Sequence, residues 1–280
     1  MTNQALTRWL LPLAIAALIS SCKTQSYYVS PALGNNHYVT QPLQNGDEKS
    51  AFYANGSFTT GLANEYLRDA QYSFQANAYN VHQFSLFKGW YGGGLSLGSY
   101  EVGYSSLLIN YAGERNINGK KFYGTANLEG GMSFVWPFRY GEWRVIGVSG
   151  NLYNEFGSYL SFRKSVNKDS VSGVATSATL GSLGFSSEFV GKLRRGEIGY
   201  AIQYNTMLGP QYSDLDFGKG ATNAAGYHRQ RYGYFATTFH VTINRATYYT
   251  QANVGNRILS FQCGINYKIS STNKKHTSPY

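Results

Sequence analysis

The sequence predicts an all-β chain, an antiparallel up-and-down barrel of about 8 to 10 strands. Composition, a two-residue hydrophobic period and the spacing of turns each point there. Aromatic residues make up 16% of the chain, with 25 Tyr and 16 Phe, and Gly numbers 32 against 6 Pro. That mixture suits pleated surfaces and disfavours long helices. Charged residues are only 14%, too few to cover a water-facing surface in the usual way.

The elements can be taken in order. Arg8 supplies a positive flank to the apolar run Trp9 to Ile19, which is too short to span a bilayer as a permanent helix. Residues 1–21 are therefore expected to be a secretion signal. The run leads into Ile19-Ser20-Ser21-Cys22: a branched apolar residue, two small residues and a thiol. This resembles the lipobox of bacterial lipoproteins. The resemblance implies that Cys22 becomes the first mature residue and carries diacylglycerol, usually with a third acyl chain such as palmitate. Several acyl chains anchor stably where a single one does not. Lys23, Thr24, Gln25 and Ser26 include no Asp, so inner-membrane retention is not signalled and the outer membrane is the expected location.

Cys22 and Cys263 are the only cysteines. With Cys22 acylated, no intrachain disulfide can form, and Cys-rich zinc sites are excluded. Residues 22–49 hold Pro31, Pro42, Gly34-Asn35-Asn36 and Asn45-Gly46 without steady periodicity, and are expected to form a tether between lipid and barrel.

From 50 to 269 alternation dominates. Leu259, Phe261, Cys263, Ile265, Tyr267 and Ile269 share one face, while Ser260, Gln262, Gly264, Asn266, Lys268 and Ser270 share the other. Phe235, Phe239, Val241 and Ile243 oppose Ala236, Thr238, His240, Thr242 and Asn244 in the same way. A third example sets Ala126, Leu128, Met132, Phe134 and Trp136 against Thr125, Asn127, Glu129 and Ser133. Weaker versions occupy 144–155 and 198–205. Strands are expected near 50–60, 70–80, 84–98, 121–136, 143–162, 175–191, 197–208, 231–244, 247–254 and 257–269. Residues 270–280 read as a polar tail.

Short connections at 138–142 and 193–196 interleave with long polar ones at 113–120, 164–173 and 209–230, the asymmetry of outer-membrane barrels. After Cys22 no apolar run approaches the ~18 residues of a membrane helix, so any span must be made of strands. Over residues 50–269 the patterning resembles the small outer-membrane β-barrel families. Those families commonly finish the last strand on an aromatic residue; here it stops near Ile269. Two readings follow: a membrane barrel with apolar faces outward, or a lipid-tethered soluble barrel with apolar faces inward around a core or ligand.

Motifs for chemistry are sparse. Gly89 to Gly94 and Gly218-Lys219-Gly220 lack the spacing of phosphate loops and read as strand and loop glycines. Asp216-Phe217-Gly218 stands without any other kinase element. There is no HExxH and no Cys/His cluster, and neither metal nor cofactor is expected. His240 lies between Thr238 and Thr242 on a polar face, where Glu129, Glu155 or Glu188 would complete a base and its orienting acid. The net charge of +10 gathers in groups such as Arg194-Arg195, Arg229, Arg231, Lys274 and Lys275. Anionic lipid head groups are the expected partners of such rim charges, and nucleic acid is not.

The function expected is a lipid-anchored outer-membrane barrel with a structural or interaction role and no catalysis. The alternatives are a tethered soluble barrel binding an apolar ligand, and a barrel enzyme acting on lipid acyl chains through His240. A wide pore is disfavoured, because so few strands leave an interior that side chains fill.

Overall fold

The computed structural model describes residues 27–32, 34–44, 46, 48–63, 69–102, 119–165, 173–208, 233–255 and 258–273. Within these the elements are β1 (Tyr27–Tyr28), β2 (Glu48–Ala63), β3 (Asp69–Phe84), β4 (Phe87–Val102), β5 (Gly119–Phe138) and β6 (Gly141–Phe156). The helix α1 (Ser158–Ser165) follows, then β7 (Gly173–Val174), β8 (Thr179–Leu193) and β9 (Gly196–Leu208). β10 (Gly233–Ile243), β11 (Ala246–Gly255) and β12 (Ile258–Asn273) are the last elements among the described residues.

Ten strands close into a barrel in the order β10-β11-β12-β2-β3-β4-β5-β6-β8-β9, each antiparallel to its neighbours. The seam joins the first and last barrel strands, with Ile258 opposite Ala63 at one end and Asn273 opposite Glu48 at the other. Closure leaves no strand edge to be satisfied by water. The ten strands fall within the eight to ten expected from alternation.

The direction of each face is decided by burial. On β3, Gln71, Ser73, Gln75 and Asn77 are buried while Tyr72 and Phe74 between them are exposed. On β5, Leu128 is 68% exposed between buried Asn127 and Glu129. Every barrel strand repeats this code, so the lumen is polar and the outer wall is a belt of Leu, Ile, Val, Phe, Tyr and Trp. Of the two readings, the alternative of a soluble barrel with inward apolar faces is thereby set aside, and the outward-facing one holds.

A bulge in β6 adds to the code. The register shifts between Arg144 and Gly147 against β8, and between Phe134 and Val135 on β5 against β6. One extra residue reverses the parity of the strand. Glu142 and Arg144 are buried before it, and Asn151, Tyr153 and Glu155 after it.

One mouth carries the two-residue turns Ser85-Leu86, Arg139-Tyr140, Arg194-Arg195 and Asn244-Arg245, together with the start of β2 and the end of β12. Asn244 takes a left-handed φ of 57°, which Asn tolerates better than most residues. The opposite mouth carries the connections 64–68, 103–118, 157–178, 209–232 and 256–257. The expected strand 143–162 ends early, because Gly157 at φ +113° turns the chain into α1. Arg163 and Lys164 in its last turn complement the helix dipole, and the Ser158 hydroxyl accepts the Phe122 amide at 2.9 Å.

The segment expected as a tether, 22–49, differs in its described part. Tyr28, Ser30, Ala32, Asn35, Asn36, His37, Tyr38, Thr40 and Gln41 are buried within the barrel. Its Asn, Gln, Thr and Tyr side chains find partners on a polar lumen wall, and an isolated tether has none to offer.

Candidate functional site: the occupied lumen

The lumen is filled in three tiers by residues 28–44. At the long-connection mouth, Tyr28 packs with Ala63, Tyr100, Val102, Tyr123 and Tyr159. β1 pairs in parallel with β7, and the Tyr159 hydroxyl donates to the Val29 carbonyl at 3.2 Å. Tyr100 stacks on Tyr159 with centroids 4.1 Å apart and donates to Asp69 at 2.7 Å. Arg163 of α1 reaches Glu155 at 2.5 Å, so the helix is bolted over this mouth by a buried ion pair.

The middle tier is amide-rich. The Asn36 side chain donates to Asn205 Oδ1 at 3.0 Å and also meets Tyr153. Gln251 donates to the Asn36 carbonyl at 2.9 Å, and Asn253 to the Gly34 carbonyl at 3.0 Å. Asn266 holds both the Tyr38 carbonyl, at 2.9 Å, and Thr40 Oγ1, at 3.0 Å. These contacts pin the backbone of the segment from several strands at once.

The third tier, nearer the short turns, is ionic. Arg144 bonds Glu142 Oε1 at 2.7 Å, Glu188 Oε2 at 2.6 Å and the Gln41 carbonyl at 2.8 Å. Lys88 pairs with Glu142 and donates to the Pro42 carbonyl at 2.5 Å. Two cations therefore balance two carboxylates. Glu142 Oε2 accepts the Gln44 amide at 2.6 Å, and Tyr38 donates to Glu188 Oε1 at 2.5 Å. Charges buried this deep are costly unless paired and hydrogen-bonded, and here each partner is supplied.

Room for these side chains comes from inward glycines. A Cβ on Gly94 would fall 1.9 Å from Asn77 Oδ1, and one on Gly199 would fall 2.2 Å from His240 Nε2. Gly89 to Gly94 thus lie on β4 as strand glycines, as expected; Gly218-Lys219-Gly220 lies outside the described residues.

A cavity of about 70 Å³ remains beside the segment, lined by His37, Glu129, Ser149, Asn151, Gln203 and Thr238 among others. That is room for several waters in a polar setting. His37 Nε2 stands 3.5 Å from Glu129 Oε1.

The structure brings His240 and Glu188 together, with Nε2 2.9 Å from Oε1. The other expected carboxylates are elsewhere: Glu155 serves Arg163 and Glu129 faces His37. The His240 ring stacks on Tyr38 at 4.6 Å, while Thr238 donates to Gln251 and Thr242 bonds Thr247. Among the described residues no cluster of three or more His, Cys, Asp or Glu is placed to hold a metal. Cys22 lies outside the described residues; Cys263 is exposed on the outer wall. Sequence reasoning missed Lys88, Glu142, Arg144 and Tyr38. The available signal was charge in a strand flanked by apolar neighbours, hidden at Arg144 by the bulge.

No family model matches the chain, and no curated protein does. Solved barrels are loosely similar. An outer-membrane channel from Pseudomonas putida F1 matches at 7% identity with a TM-score of 0.41, over 86% of this chain and 100% of that one. The β domain of the Bordetella autotransporter BrkA matches at 11% and 0.40, over 79% and 100%. A loop-deleted OmpT of Vibrio cholerae matches at 12% and 0.31, over 76% of each chain.

Proposed function

We propose that this protein is a lipid-anchored outer-membrane β-barrel with a structural or interaction role, whose lumen its own N-terminal segment keeps shut. The single observation that carries this reading is the inversion of burial: apolar outer wall, polar and occupied lumen. A belt of this kind in water would be a very large exposed apolar patch, whereas lipid satisfies it. Exposed turns such as Arg194-Arg195 suit anionic lipid head groups. We read the His240–Glu188 contact as structural, since Glu188 is already shared by Arg144 and Tyr38.

Heat-modifiable gel mobility of the mature protein from detergent-extracted outer membranes tests insertion, alongside a Cys22→Ala variant. A compact unboiled band, with the variant still fractionating with the membrane, is expected. A variant recovered soluble from the periplasm would overturn insertion. Incorporation of labelled palmitate into the parent and not into Cys22→Ala tests the anchor.

A further inference from the structure

We propose that the chain passes through its own barrel, so that its N-terminal side emerges at the mouth opposite its C-terminal strand end. Acyl chains on Cys22 then enter the leaflet at the long-connection mouth, which is the outer leaflet. The threading stands on the described residues alone; the leaflet assignment rests on the inserted, acylated reading above.

The direction of the segment is fixed by which wall residues it meets in turn. Tyr28 contacts Ala63, Val102 and Tyr123, which lie at the ends of β2, β4 and β5 that feed the long connections. Ala32 packs with Leu180, Tyr234 and Ile258, each at the corresponding end of its strand. Tyr38 then meets Glu188 and His240, farther down the wall. Gln44 reaches the Ser85 carbonyl in a two-residue turn, and Glu48 starts β2 at that same mouth, paired with Lys268 at 2.5 Å. Asn273 lies opposite Glu48. Tyr28 and Asn273 therefore stand at opposite mouths.

Length forbids a return. β2 has 16 residues; at ~3.3 Å each and a tilt near ~40°, such a strand gives a wall about 40 Å tall. The stretch from Cys22 to Tyr27 reaches at most ~18 Å when fully extended. An anchor on Cys22 cannot regain the short-turn mouth. Short turns face the periplasm and long loops the exterior in single-chain bacterial barrels, which puts the N-terminal side at the cell surface.

The test uses the full chain with Cys263→Ala and one reporter, either Thr24→Cys or Asn244→Cys. Intact and permeabilised cells are treated with a membrane-impermeant maleimide. We expect Thr24→Cys to label on intact cells and Asn244→Cys only after permeabilisation. Both reporters on one face overturn the threading. The reverse pattern upholds the threading and overturns the outer-leaflet assignment. A chain that leaves the membrane fraction overturns the insertion reading instead, which fractionation of the same cells reads directly.

Discussion

Replacing Arg144 by Met tests whether the ionic tier holds the segment in place. The guanidinium joins Glu142, Glu188 and the Gln41 carbonyl, two barrel strands and the threaded chain. Met retains much of the volume and removes the charge, leaving two buried carboxylates to Lys88 and His240. Breaking a buried pair in this way costs about 3 to 5 kcal/mol. At about 2 to 4 °C per kcal/mol for a domain of this size, the unfolding midpoint falls by about 6 to 20 °C. The assay is the temperature at which the compact gel band converts to the unfolded one. Adding Glu188→Gln restores charge balance, so the double variant loses less than the two single losses summed. An unchanged midpoint for Arg144→Met, or strict additivity in the double variant, refutes the claim that this tier acts as one network.

Two further outcomes are expected. Gly34 adopts φ +85°, and a Cβ there would fall 2.4 Å from Ile258 Cδ1, so Gly34→Ala lowers the same midpoint by about 1 to 3 kcal/mol equivalent; an unaffected midpoint rejects the seated geometry. Leu128→Arg places a charge in the middle of the outer belt and costs about 2 to 4 kcal/mol in lipid, reducing folded barrel in the outer membrane; undiminished yield rejects a lipid-facing wall.

Legibility followed the range of the physics involved. Strand existence came through because the two-residue period is local: Leu259 to Ile269 and Phe235 to Ile243 carry it without reference to any neighbour. Turn positions at Arg139-Tyr140 and Arg194-Arg195 came through for the same reason. The helix at Ser158–Ser165 did not, since its formation depends on Gly157 turning and on Arg163 finding Glu155. His240 was legible as a polar-face residue, and its Glu188 partner was among the carboxylates named; which of them it met was not.

The sequence by itself determined the fold class, a strand count of about eight to ten and the two-faced code along each strand, because alternation is written residue by residue. Only the tertiary structure decided which face meets the outside, since the same alternation serves an inward or an outward apolar wall. It also decided the fate of residues 28–44. Asn36, Tyr38 and Gln41 lack periodicity because their partners, Asn205, Glu188 and Arg144, lie far along the chain. A segment held chiefly by non-local hydrogen bonds reads as a loop until the barrel closes around it.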